Sequence, residues 1–332
     1  MGKVNMFMFK GGGVKGLLLC ALLFCFPASA FSEGWPARPV RLIVSQAAGG
    51  TPDIVARLLA ERVGAGLGQP VVVENRPGSA NMVGAQAAAR AAPDGYTLFF
   101  ATAAALVTNP YTFKSLPYDP VRDFAPIGMA GKAMFLILAH PSVPAKSIKE
   151  LVALDKADPG KLAFATDGPR NFSGMVAAWL NKVAGTHFLA VPYNAMPQGL
   201  QDTVAGRTQL VILAIPSAAP FVAKGQLRPL AISSAAPAPG YESVQPVADT
   251  YPGFDLVGWF AFVAPAGTPR EAIQRTNQEL DRALHEAALV QRLRGFGVYT
   301  DGAGTPESTG EFFRAELERW GRIVREIGIQ PE

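Results

Sequence analysis

Val40-Arg41-Leu42-Ile43-Val44-Ser45-Gln46-Ala47-Ala48-Gly49-Gly50-Thr51-Pro52-Asp53-Ile54-Val55-Ala56-Arg57-Leu58-Leu59 passes from an apolar run through two glycines into a helical rhythm. Val40, Leu42, Ile43 and Val44 suit a strand covered on both faces. Gly49 and Gly50 allow a sharp turn that brings bare backbone close to whatever lies above it. Thr51 can cap a helix, and Pro52 suits its first position, where a missing N–H costs nothing. Ile54, Val55, Leu58 and Leu59 then share one face, which packs back on the sheet. The expected result is a helix N-terminus aimed at the carboxyl edge of a sheet, a seat for a small anion. A glycine turn that only redirects the chain is the alternative reading of these residues.

Outward toward the start, Lys3, Lys10 and Lys15 precede an apolar run at residues 16–26 that ends in Ala28-Ser29-Ala30. That order is the one of a secretory signal, with residues 1–30 cleaved after Ala30. The run is shorter than the roughly 20 apolar residues that span a bilayer. Gly11, Gly13 and Gly16 match a dinucleotide fingerprint by spacing alone, but no strand precedes them and the match is set aside. Cys20 and Cys25 both fall in this leader, so no disulfide or thiol chemistry is expected of the exported chain. Loss of the three lysines takes the formal charge from +4 to +1, which removes the case for nucleic-acid or membrane-surface binding.

Going forward, residues 71–75 read as a second strand, residues 82–92 as an alanine-rich helix and residues 96–102 as a third strand. This βαβαβ order implies a parallel sheet with right-handed crossovers. Ligands sit beyond the carboxyl ends of such strands, so residues 49–51, 78–81 and 102–104 are expected to converge. The proline-punctuated residues 109–126 read as a surface connection, and a new αβ series begins near Ala133. Ser147-Ile148-Lys149-Glu150 reads as a capping box. Thr166-Asp167-Gly168-Pro169-Arg170-Asn171-Phe172-Ser173-Gly174 repeats the strand, glycine turn and helix of the opening stretch, so two lobes facing one another are expected. Residues 258–265 read as a strand returning to the first lobe, and Thr268-Pro269-Arg270-Glu271 as a second capping box. In the last helix Phe313, Leu317, Trp320, Val324 and Ile327 step along a single seam, which reads as core packing.

No catalytic arrangement is legible. His140, His187 and His285 lack spaced partners, and neither a His-Glu-x-x-His pair nor a Gly-x-Ser-x-Gly elbow occurs. No metal-ligand spacing and no cofactor motif appear, so catalytic residues, metal and cofactors are all read as none.

Several segments, in order along the chain, carry a family resemblance: Arg38-Pro39-Val40-Arg41-Leu42-Ile43-Val44, Gly68-Gln69-Pro70-Val71-Val72-Val73-Glu74-Asn75-Arg76-Pro77-Gly78, Ala92-Pro93-Asp94-Gly95-Tyr96-Thr97-Leu98, Leu116-Pro117-Tyr118-Asp119-Pro120, Val191-Pro192-Tyr193 and Ala264-Pro265-Ala266-Gly267-Thr268-Pro269. The chain resembles the periplasmic solute-binding proteins of tripartite tricarboxylate transporters, the TctC or Bug family, over essentially its whole exported length. The resemblance implies a two-lobed α/β periplasmic-binding-protein fold, each lobe a mostly parallel sheet flanked by helices. Lobe 1 would take residues 31–133 and 259–332, and lobe 2 residues 134–258. It implies a monomer that captures a small organic acid or related metabolite in the inter-lobe cleft and hands it to permease subunits. An exported hydrolase or isomerase on a Rossmann-like fold, or a metabolite sensor without a permease, are the competing readings.

Carried over by position, the resemblance makes Ala48, Gly49, Gly50, Thr51, Asp53, Thr102 and Ala103 ligand-binding in the first lobe. In the second it offers Thr166, Asp167, Gly168, Asn171, Ser173, Tyr193 and Asn194, and Arg170 adds a guanidinium suited to a forked bond with a carboxylate. Asp53 could instead only partner the helix dipole, and Tyr193 could be a core aromatic. Ser45-Gln46-Ala47 and Pro52 depart from the family's first loop, as Asp167, Arg170 and Gly174 depart from its second. Asp167 would repel an anion or accept an amine, so the expected ligand is zwitterionic, amidated or aromatic rather than a plain polycarboxylate.

Overall fold

β1 (Val40–Val44) lies under the glycine turn, and its Val40, Leu42, Ile43 and Val44 are buried. The structure is a computed structural model that describes residues 34–193 and 196–332. The expected signal segment and its cleavage after Ala30 lie outside the described residues.

The chain continues through α1 (Thr51–Leu67), β2 (Val71–Asn75), α2 (Met82–Ala89) and β3 (Thr97–Thr102). A wide turn over Ala104–Thr108 leads into the short α3 (Asn109–Thr112), and then comes β4 (Phe124–Ala133). The second series is β5 (Phe135–Ala139), α4 (Ile148–Ala157), β6 (Ala163–Thr166), α5 (Phe172–Ala184), β7 (Leu189–Pro192), α6 (Met196–Val204), β8 (Leu210–Ala214), α7 (Ile215–Ala223) and β9 (Arg228–Ile232). β10 (Gly258–Pro265), α8 (Arg270–Leu284), α9 (Ala287–Gly295), β11 (Val298–Tyr299) and α10 (Pro306–Glu326) complete the chain.

Two sheets result, one in each lobe: β11-β4-β10-β3-β1-β2 and β7-β6-β8-β5-β9. Both are mixed, which corrects the expectation of mostly parallel sheets. β1 runs parallel to β2 and β3, as βαβ crossovers require, but β10 is antiparallel to β3 and β4, and β11 to β4. In the second sheet β6 is parallel to β7 and β8, while β5 is antiparallel to β8 and β9. The cause is the double passage of the chain. β4 leaves the first sheet at Ala133 and β10 re-enters opposite it at Gly258, so the outgoing and returning strands pair in opposite directions.

β4 also overturns the reading of residues 109–126 as a surface connection only. Pro126, Gly128 and Gly131 hid a ten-residue strand. Pro126 pairs with Val263 where the β10–β4 register shifts, the kind of bulge that tolerates a residue without an N–H. Two capping expectations change as well. Gly50, not Thr51, is the N-cap of α1, with no side-chain cap. Thr268 donates its hydroxyl to Pro265 O at 2.8 Å and caps nothing, so the box expected there is absent and Pro269 is the N-cap of α8. Ser147 accepts from Glu150 N, and Thr305 forms a box with Ser308 at the start of α10.

One buried cluster fills the face of the first sheet under α1, α8 and α9, with Val55, Leu59, Phe100 and Phe262 at its centre. Another runs from Phe99, Trp259 and Trp320 into Ile137, Phe164 and Met175 of the second lobe, so the apolar core is continuous across the strand passages. Phe313, Trp320 and Val324 of α10 are buried in it, with Trp259 stacked on Phe313 at 5.0 Å. Each such large side chain contributes about 1.5–3 kcal/mol by burial.

Candidate functional site

The carboxyl ends of β1 and β3 open toward a cavity of about 490 Å³ between the lobes. Gln46 enters it from the end of β1, Thr102, Ala103 and Ala104 from the end of β3, and Ala80 and Asn81 from the turn before α2. That turn holds three successive non-glycine residues with positive φ: Ser79 at 44°, Ala80 at 51° and Asn81 at 74°. Such backbone costs of order 1 kcal/mol or more per residue and persists only where its surroundings hold it. Here Asn109 donates to Ala80 O at 2.8 Å, and Asn81 Oδ1 accepts from Ser45 Oγ at 3.1 Å and Gln46 Nε2 at 2.6 Å. From the opposite lobe, Gly168, Arg170, Asn171 and Phe172 reach the cavity from the turn after β6. Phe135 and Phe172 pack at 4.1 Å, and Phe172 lies 6.2 Å from Trp320, which makes one wall aromatic.

Electrostatically the lining is sparse. Arg170 and Glu332 are the charged side chains among the described lining residues. Of the polar side-chain atoms buried without a hydrogen-bond partner among the described residues, two, Arg170 Nε and Gln46 Oε1, belong to side chains that line this cavity. One is a charged donor and the other a neutral acceptor, and burial without a partner is costly for each.

Of the expected site residues, the fold therefore brings Thr102 and Ala103 together with Gly168, Arg170 and Asn171. Ala48, Gly49, Gly50 and Thr51 lie outside the cavity and are exposed. Asp53 is buried beneath them, accepting from Gly49 N and Asn75 Nδ2, both at 2.9 Å, and from Arg57 Nε at 3.1 Å. Burial is the largest influence on its carboxyl and pushes the pKa up, but the bonds from Arg57, Gly49 and Asn75 outweigh it and the net shift is downward. The chain's own carboxylate thus ties down the glycine turn before α1 rather than leaving it free.

The second turn is tied down in the same way. Asp167 is absent from the lining, and its Oδ1 accepts from Ser173 N at 3.1 Å and Ser173 Oγ at 2.5 Å. Burial raises its pKa, against the lowering bonds from Ser173 and Gly174. Thr166 is buried and donates to Val191 O at 3.4 Å. Tyr193 donates to Asp202 Oδ2 at 2.9 Å, and burial followed by that neighbour pushes its phenol up. Asn194 lies outside the described residues. The reading missed Gln46, Phe135, Trp259, Trp320 and Glu332; Gln46 was visible only as a departure from a pattern, and Glu332 carried no local signal.

The model of the family described as "Tripartite tricarboxylate transporter family receptor" matches residues 55–329. Protein BugT of Bordetella pertussis is 32% identical over 319 residues, covering 96% of this chain and 97% of that protein. The structure of R. palustris Rpa4515 with adipate superposes with a TM-score of 0.77 at 30% identity, covering 90% of this chain and 100% of that one. MatC of Rhodopseudomonas palustris, with bound malate, gives 0.71 at 28% identity, covering 87% and 99%.

Proposed function

We propose a function that starts from one premise: the chain belongs to the tripartite tricarboxylate transporter receptor family. It is a solute-binding protein, and the solute is a small carboxylate carrying a hydroxyl or amine donor, held between the lobes without being transformed. The observation that carries this reading is the pair of unpartnered buried atoms in one cavity. Arg170 Nε suits a carboxylate oxygen, and Gln46 Oε1 suits an O–H or N–H on the same molecule. The aromatic wall of Phe135 and Phe172 suits an apolar body lying against it. The carboxylates bound by Rpa4515 and MatC support the acid end of the assignment.

In this reading Thr102, Ala103, Gly168 and Asn171 line the ligand's bed, whereas Asp53 and Asp167 position the two turns. The lobes divide near the two strand passages, as residues 31–133 with 259–332 and residues 134–258. The protein is exported to the periplasm after cleavage at Ala30, acts as a monomer and delivers its solute to the permease of a tripartite transporter.

Titration calorimetry of the exported chain against two acid pairs, malate with succinate and mandelate with phenylacetate, tests the assignment. One hydroxy acid should bind at one site per chain and more tightly than its partner without the hydroxyl. Arg170→Ala should weaken it roughly 10- to 100-fold, the worth of a charged hydrogen bond. Gln46→Ala should erase the preference for the hydroxyl. Equal binding of both members of each pair, or undiminished binding by Arg170→Ala, would overturn the proposal.

A further inference from the structure

α10 ends at Glu326, and the residues after it bring Glu332 to the cavity. Glu332 is fastened to the first lobe by its backbone: its N–H donates to Thr112 O at 3.1 Å, and its main-chain oxygen accepts from Lys114 N at 2.8 Å. From the other lobe Arg170 reaches the same segment. Arg170 Nη1 pairs with Glu332 Oε2 at 3.0 Å, and Nη2 donates to Gln330 O at 3.2 Å. The guanidinium is thus held on its two terminal nitrogens by this strap, while Nε remains buried and without a partner.

We propose that residues 328–332 are a displaceable internal occupant of the ligand anchor: Glu332 holds the place on Arg170 that a ligand's carboxylate takes, and binding exchanges one carboxylate for the other. The inference rests on the functional reading above and adds a specificity-setting residue to it. Three observations carry it. Glu332 is the acidic side chain among the described lining residues, and it sits on the basic one. A guanidinium accepts a carboxylate most strongly through two parallel N–H bonds, so an incoming acid at Nε also needs a terminal nitrogen that the strap occupies. The pair is also built to yield, because the two side chains are 37% and 56% exposed and an exposed ion pair is weak.

Its weakness sets the size of the effect. A competitor that occupies the anchor part of the time lowers apparent affinity by the fraction of anchors left free, so removing it should tighten binding only about two- to fivefold. The strap also filters ligands. An acid reaching the cavity meets a paired, net-neutral anchor, and one that offers a single terminal oxygen to Arg170 cannot match the two contacts it must replace.

The test compares Glu332→Gln with the unaltered exported chain, using mandelate as the probe in calorimetry and deuterium uptake of the segment containing Lys114 as a readout that needs no ligand. The variant should bind mandelate about two- to fivefold more tightly. Free variant, and unaltered chain saturated with mandelate, should both exchange faster at Lys114 because the strap has let go. Equal or weaker binding by the variant would overturn the exchange of carboxylates, and slower uptake at Lys114 on saturation would show the strap closing over the ligand instead. Heat from neither mandelate nor malate in either protein would tell against the functional reading. Lys114 uptake then still decides the tether: faster exchange in Glu332→Gln upholds it, and unchanged exchange overturns it.

Discussion

Residues 45–53 and residues 166–174 each carry the chain from a buried strand into a long helix, and each sets an aspartate at or near the helix start. They end up in different service. In the first, Asp53 lies inside α1 and reaches back to Gly49 N and across to Asn75, which leaves the glycine turn facing outward and only Gln46 in the cavity. In the second, Asp167 lies before α5 and is folded onto Ser173, which turns Gly168, Arg170 and Asn171 toward the cavity. The lesson concerns helix N-termini. Their N–H groups attract a carboxylate from any source, and a chain that supplies one itself leaves the ligand to other donors.

The sharpest way to break the comparison is at the glycines. A Cβ at Gly174 would fall on the Gly168 carbonyl oxygen and 3.0 Å from Pro169 Cα, so Gly174→Ala must push the second turn out of place. It should cost about 3 kcal/mol in chemical denaturation and abolish carboxylate binding. The matching change in the first turn, Gly50→Ala, meets Ala47 O at 3.5 Å and Pro52 Cδ at 3.8 Å without a clash and should cost about 1 kcal/mol, the worth of a poorer N-cap, with binding intact. Equal costs would mean that the two turns are held alike.

Removing the first aspartate comes next. Asp53→Ala strips partners from Gly49 N, Asn75 and Arg57 and should cost about 2 kcal/mol. Carboxylate affinity should hardly change if Asp53 only positions the turn, and a tenfold loss in calorimetry would return it to the ligand's bed.

The smallest effect is one of pH. Asp167 binds its proton more tightly folded than unfolded, so its contribution is complete below the unfolded pKa and is lost as the pH rises through the raised folded value. Asp53 does the reverse: its contribution is complete above the unfolded pKa and is lost as the pH falls through the lowered folded value. Denaturation midpoints followed from pH 3 to 7 should therefore rise with pH less steeply in Asp53→Asn, whereas Asp167→Asn should lose the decline on the upper acidic side. Identical pH profiles for the two variants would remove the distinction between the turns.

Much of the scaffold was legible because its signals are local. The apolar run at β1, the alternation of strands and helices in both lobes and the α10 seam through Phe313, Trp320 and Val324 announce themselves within a few residues of one another. β4 escaped because Pro126 and two glycines break the strand pattern, and its pairing with β10 is formed between residues more than a hundred positions apart. Similar distances hid most of the candidate site. Arg170 was legible as a side chain suited to a carboxylate, but its bond to Gln330 O spans 160 residues, and no window of sequence contains both.

By itself the amino-acid sequence determined the α/β class, the family and the presence of two glycine turns leading into helices. These follow from periodicity, from backbone freedom and from segments matched in order. Only the tertiary structure decided which turn faces the cavity, that the chain's own aspartates tie down both turns, and that Gln46, Arg170 and Glu332 line one cavity. Orientation across a cleft depends on how two sheets are joined and packed, and that is a property of contacts between distant residues rather than of any run of them.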